Sequence, residues 1–127
     1  MENVSIVFDQ RLDIEFLQSI YEDDIEHAFM IFSQFLQKGP ELMKDIEESY
    51  SSGEVEAFRQ KVHKMKPVFS FVGLTHLTIK ADIIEKKCKE ISQIYDIDYL
   101  YQEFLTQYSN DFPIIENEVN RLKEQLN

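Results

Sequence analysis

Between Val55 and Ile91 the apolar residues recur at alternating steps of three and four: Val55, Phe58, Val62, Met65, Phe69 and Val72, then Leu77, Ala81, Ile84, Cys88 and Ile91. A side chain placed every 3.5 residues or so returns to one side of an α-helix turn after turn, so each run predicts a helix with a single apolar seam. Such a seam escapes water only by packing against other helices, which commits the chain to a helical bundle. Gly73 separates the two runs and is expected to close the first helix, with Thr75 opening the second. Cys88, within the seam, is expected to be a buried small hydrophobe.

The rest of the chain divides the same way. A short segment near Leu12 to Tyr21 precedes Asp23 and Asp24, either of which can cap a helix carrying Ile25, Ala28, Phe29, Phe32, Phe35 and Leu36. Gly39-Pro40 is expected to end that helix, and Pro40 suits the first turn of another, with Leu42, Met43, Ile46 and Tyr50, that stops at Ser51-Ser52-Gly53. The seam helix then starts near Glu54. After a joint around Tyr95 to Asp98, apolar residues from Tyr101 to Leu126 mark a long C-terminal helix, which Pro113 is expected to kink or restart with Asp111 as a cap. The predicted fold is all-α: an antiparallel up-and-down four-helix bundle with an additional short N-terminal helix and a long C-terminal helix.

Three glycines and three prolines among 127 residues leave an all-β chain without the turns it needs, and the length suits one domain, expected over 1–127. With one cysteine, no intrachain disulfide or cysteine-based zinc site forms, as suits a reducing compartment. The stretch from Met1 to Arg11 lacks the basic and apolar regions of a signal peptide, and no apolar run reaches a membrane span, so a cytoplasmic protein is expected. A formal charge of −11 repels phosphate backbones and anionic lipid, which argues against nucleic acid and membrane partners.

The acids are unevenly spread. The 25 residues from Ala57 to Ala81 contain no Asp or Glu but hold Arg59, Lys61, Lys64, Lys66 and Lys80, predicting a locally positive face suited to an anion. At about 100° per residue, with Val62 at zero, the seam residues fall between about −80° and +20°. His63 falls near +100°, roughly 130° from the seam centre, and so points to solvent among those cations. Pro67 and Phe71 follow on the same outward side. Phe71 either docks a partner or tucks against a neighbouring helix.

The stretch His63-Lys64-Met65-Lys66-Pro67-Val68-Phe69-Ser70-Phe71-Val72-Gly73-Leu74 resembles the signature of histidine-containing phosphotransfer (HPt) domains, H-x-[LM]-K-G-x-x-x-x-x-G. His63, Met65, Lys66 and Gly73 are in register. Gly53, Phe58, Leu77, Ala81 and Ile84-Glu85 are similar to the family's spacing, extending the resemblance over about 20–90. The resemblance implies a phosphorelay intermediate without kinase activity of its own. It accepts a phosphoryl group on His63 from an aspartate of one receiver domain and passes it to an aspartate of another. A solvated imidazole, with its usual pKa of about 6.5, is mostly neutral at cytoplasmic pH and available to attack.

In that scheme Lys66, one turn along, stabilises the phosphoryl oxygens, while Lys64 and Arg59 add to the field. Pro67, Ser70, Phe71 and Gly73 join them as binding candidates. The partners implied are the receivers of a hybrid histidine kinase and a response regulator; Mg²⁺ belongs to the receiver, the chain itself holds no metal or cofactor, and it acts as a monomer. Pro67 departs from the motif glycine: it withholds the N–H that would bond the His63 carbonyl, and with Val68 and Phe69 in place of small residues it bears on partner choice.

Two other classes compete. Asp24-Ile25-Glu26-His27 places an acid three residues before a histidine as di-iron bundles do, but Gln60 and Gly73 occupy the corresponding positions before His63 and His76. The alternative to a relay is a non-catalytic acidic adaptor that binds a partner through the exposed face around His63, Pro67 and Phe71.

Overall fold

The computed structural model describes residues 6–126, so Met1–Ser5 and Asn127 of the expected 1–127 domain lie outside it. Asp13 and Asp24 each turn a carboxylate back on a helix N–H, Asp13 accepting from Phe16 and Asp24 from His27, and so start α1 (Ile14–Tyr21) and α2 (Ile25–Ser52). Gly53, at φ 74°, ends α2 in the left-handed conformation that carries least penalty in glycine. α3 (Val55–Ser70) and α4 (Thr75–Cys88) follow, then a 3₁₀ turn at Ile94–Ile97 that runs into α5 (Asp98–Leu126).

Each helix of the sequence α2, α3, α4, α5 packs on the next, and α5 returns to α2, closing a four-helix bundle. Helices that pack together across a two- to four-residue turn run antiparallel, as α2, α3 and α4 do. Phe32, Phe35, Ile46, Phe58, Val62, Met65, Phe69, Leu77, Ala81, Ile84 and Phe104 fill the interior. The expected seam of α3 is thus the buried face, with Val55 half-buried at its start. Cys88 is buried, and burial pushes its thiol up to about 11.

Proline does less to the helices than its chemistry suggested. α2 runs unbroken through Pro40, and α5 through Pro113, where breaks were expected. Both rings are solvent-exposed, so each removes one hydrogen bond at a carbonyl that water can reach. Phe32 and Phe35 before Pro40 and Met43 and Ile46 after it are all buried, and that continuous packing outweighs one lost bond. Merging the two expected helices leaves α5 as the fourth member of the bundle. Asp111 is no cap; it is buried within α5, where its carboxylate meets His76 Nε2 and accepts from Gln107 Nε2 at 3.1 Å.

α3 stops at Ser70, three residues before Gly73. Phe71 N–H donates to Pro67 O and Leu74 N–H to Phe69 O, winding the chain through a turn in which Gly73 takes φ 78°. Val72 is buried as expected, but from this turn. Ahead of α1, Ile6, Phe8 and Leu12 are buried, Phe8 stacking on Phe32, and Asp13 N–H donates to Gly73 O at 2.9 Å. Thr75 Oγ1 donates to Asp13 Oδ2 at 2.6 Å. The N-terminal segment thus holds the turn that leads out of α3.

Candidate functional site

His63 stands on the solvent side of α3, its side chain 59% exposed, as the rotation argument requires. Its Nδ1 lies 2.7 Å from Glu85 Oε1, across the interface on α4. A carboxylate oxygen this close favours the proton on Nδ1, which leaves the lone pair on Nε2. One contact therefore bears on the tautomer and on which ring nitrogen is left without a proton.

Glu85 gathers two further cations. Lys66 Nζ lies 2.6 Å from its Oε2 and 3.1 Å from Asp82 Oδ1, while Arg59 Nη1 is 3.6 Å from Oε1. Burial would raise the Glu85 carboxyl, but the hydrogen bonds and charges of Lys66 and His63 outweigh it and hold the group below the ordinary carboxylate range. The same pairing raises the Lys66 ammonium: the Glu85 hydrogen bond leads, desolvation opposes, and Asp82 assists. Arg59 is also forked onto Glu56, so both motif-side cations are tied to acids.

The positive face expected from the acid-free stretch is thereby largely neutralised. Glu56 lies just before the stretch, and Asp82 and Glu85 just after it, where folding places them against it. Lys61 donates to the Asp45 carbonyl at 3.3 Å. Lys64 is exposed and, among the described residues, has no carboxylate within ion-pair distance. With Arg59, Gln60, His63 and Glu85 it lines an open basin over the imidazole.

The remaining candidates separate into two groups. Pro67 is exposed one turn beyond His63. Phe71 is 45% exposed and, with Val68, Ile31, Phe35 and Leu42, lines an apolar groove between α3 and α2, while its carbonyl accepts from Tyr21 Oη at 2.7 Å. Ser70 and Gly73 are different. Ser70 Oγ is engaged with Lys66 O at 3.2 Å and Thr78 Oγ1 at 2.9 Å, joining α3 to α4, and Gly73 is buried beneath Leu12 and Leu17. Both shape the end of α3, Ser70 half-buried and Gly73 buried.

Glu85 and Asp82 were missed as site residues, although Glu85 falls within the quoted spacing. The available signal is positional: Glu85 follows the seam residue Ile84, at the edge of the α4 seam, as Lys66 follows Met65 on α3. Asp24, offered as a metal ligand, instead caps α2, and the His27 ring packs edge-on against Tyr21. Among the described residues no helix is long and apolar enough to cross a membrane.

No protein-family model and no curated protein matches the chain. Solved structures do. The HPt domain of a sensor hybrid histidine kinase from Shewanella superposes with a TM-score of 0.68 at 16% identity, over 90% of this chain and 94% of that one. The histidine-containing phosphotransfer protein HptB of Pseudomonas aeruginosa superposes with a TM-score of 0.72 at 16% identity, over 91% and 96%. A closed four-helix bundle, matched over at least 90% of this chain by both structures, gives this chain the fold of a histidine-containing phosphotransfer domain.

Proposed function

We propose that the chain is a phosphorelay intermediate in which His63 accepts a phosphoryl group from a receiver aspartate and gives it to another. The observation that carries this reading is the Nδ1 contact to Glu85 at 2.7 Å, which leaves Nε2 as an outward lone pair. In the accepting step Nε2 forms a bond to phosphorus as the bond from phosphorus to the aspartate oxygen breaks, and that oxygen keeps the electron pair. The imidazole then bears positive charge with the proton still on Nδ1. A Glu85 carboxylate held ionised beside that proton stabilises the charge as it develops. The donating step is the reverse, onto a second aspartate.

Lys66 offsets the charge of Glu85, so that the buried end of the network stays paired while the imidazole works at its exposed end. The partners would be receiver domains, with Mg²⁺ held on the receiver's side, and the single buried thiol suits the cytoplasm. The test is exposure to a phosphorylated receiver domain followed by gel separation. The expected label is acid-labile, alkali-stable and lost in His63→Gln; binding of the receiver with no label on wild-type protein would favour the adaptor reading instead.

A further inference from the structure

We infer that Lys64, rather than the motif lysine Lys66, is the side chain that receives the incoming phosphoryl group at His63. The inference rests on the phosphoryl-acceptor reading and assigns the charge within it. A phosphoryl group entering at Nε2 meets whatever positive charge is uncommitted on the solvent side. Lys66 is committed: its ammonium sits against two carboxylates on α4, and its side chain is only 21% exposed. Arg59 is likewise 21% exposed and divided between Glu56 and Glu85. Either can reach a phosphoryl group only by sharing a charge on which carboxylates already draw, Glu85 among them and buried.

Lys64 has no such partner among the described residues, is exposed, and lines the same basin as the imidazole. As the neighbour of His63 in sequence it stands about 100° around the helix, on the side away from Glu85, where a four-carbon stem lets its ammonium swing over the ring. The two lysines therefore divide the work. Lys66 holds Glu85 and so the tautomer; Lys64 draws in and screens the anion.

Two reagents separate these roles. Phosphoramidate is an anionic donor: His63 Nε2 bonds to phosphorus as the phosphorus–nitrogen bond breaks and ammonia leaves with that electron pair. Diethyl pyrocarbonate is an uncharged electrophile that reports the imidazole alone. Both adducts are read at the His63 peptide by mass spectrometry under conditions that preserve phosphohistidine. One uncommitted charge near 4 Å in water is worth about five- to tenfold in rate toward an anion. Lys64→Gln is expected to slow phosphoramidate labelling by about that factor and flatten its salt dependence, with the pyrocarbonate rate unchanged and Lys64→Arg restoring the rate. Lys66→Gln is expected to alter both reagents' rates, because it strips Glu85 of its counter-ion. Unchanged phosphoramidate labelling in Lys64→Gln, or a phosphoramidate-only loss in Lys66→Gln, would overturn the assignment and leave the acceptor reading standing. Absence of label on wild-type His63, with pyrocarbonate still reacting there, would overturn both.

Discussion

Replacing Gly73 with alanine tests how the turn behind the histidine helix is built. The residue has φ 78°, a conformation that costs an L-residue about 1–2 kcal/mol. A Cβ there would also sit 2.6 Å from Leu17 Cδ1, 3.0 Å from Leu12 Cβ and 3.1 Å from Leu17 Cγ. Leu17 is fully buried and Leu12 nearly so, and a Cβ atom moves only with its backbone, so relief requires the N-terminal segment to shift. Overpacking of this kind costs about 1–3 kcal/mol more.

The two terms together come to about 2–5 kcal/mol, a large part of the 5–15 kcal/mol or so that holds a domain together. Gly53 is the internal control. It has φ 74° and nothing within 4 Å of its would-be Cβ, so Gly53→Ala carries only the conformational term of about 1–2 kcal/mol. Urea unfolding followed by circular dichroism gives both values from the shift in midpoint at constant slope. Thermal midpoints are expected to fall by roughly 8–20 °C for Gly73→Ala, at about 4 °C per kcal/mol for a chain of this size. Equal losses in the two variants would refute the steric account and leave backbone conformation alone to explain the glycine.

Other outcomes follow from the same contacts. Pro67→Ala supplies the N–H that the His63 carbonyl lacks within α3 and is expected to raise stability by about 1–2 kcal/mol, read by the same urea titration. Tyr21→Phe removes the donor to the Phe71 carbonyl and is expected to cost about 1 kcal/mol, with amide hydrogen exchange accelerated over Phe71–Leu74. Asp9 is held down to about 2, first by the Arg11 side-chain hydrogen bond and then by the Arg11 backbone N–H. A depressed carboxyl adds stability that is complete above the unfolded value, about 4, and is lost as pH falls toward about 2. Arg11→Gln is therefore expected to flatten the pH dependence of the urea midpoint across that window while leaving a smaller value at pH 7.

What could be read along the chain was what depends on neighbours in sequence. Helical repetition fixes which side of α3 is apolar, so the outward position of His63 and the burial of Phe58, Val62, Met65 and Phe69 followed from spacing alone. Asp24 as a cap and Gly53 as a stop are likewise local chemistry, and so is the exposed ring of Pro67. Pro40 and Pro113 were misread because one lost hydrogen bond competes with packing energy along a whole helix face, and the end of α3 because its turn is held by Asp13, distant in sequence; no local window contains either. The site was half legible for the same reason. His63, Lys64 and Lys66 come from one helix, but Asp82 and Glu85 reach them from another, at a height set by the register of α3 against α4. Sequence order placed His63 and its neighbouring cations on one outward face; tertiary packing decided which ring nitrogen meets a carboxylate and which of Lys64 and Lys66 is paired. Coulombic pairing acts through space, and the separation across that helix pair exists only once the bundle has closed.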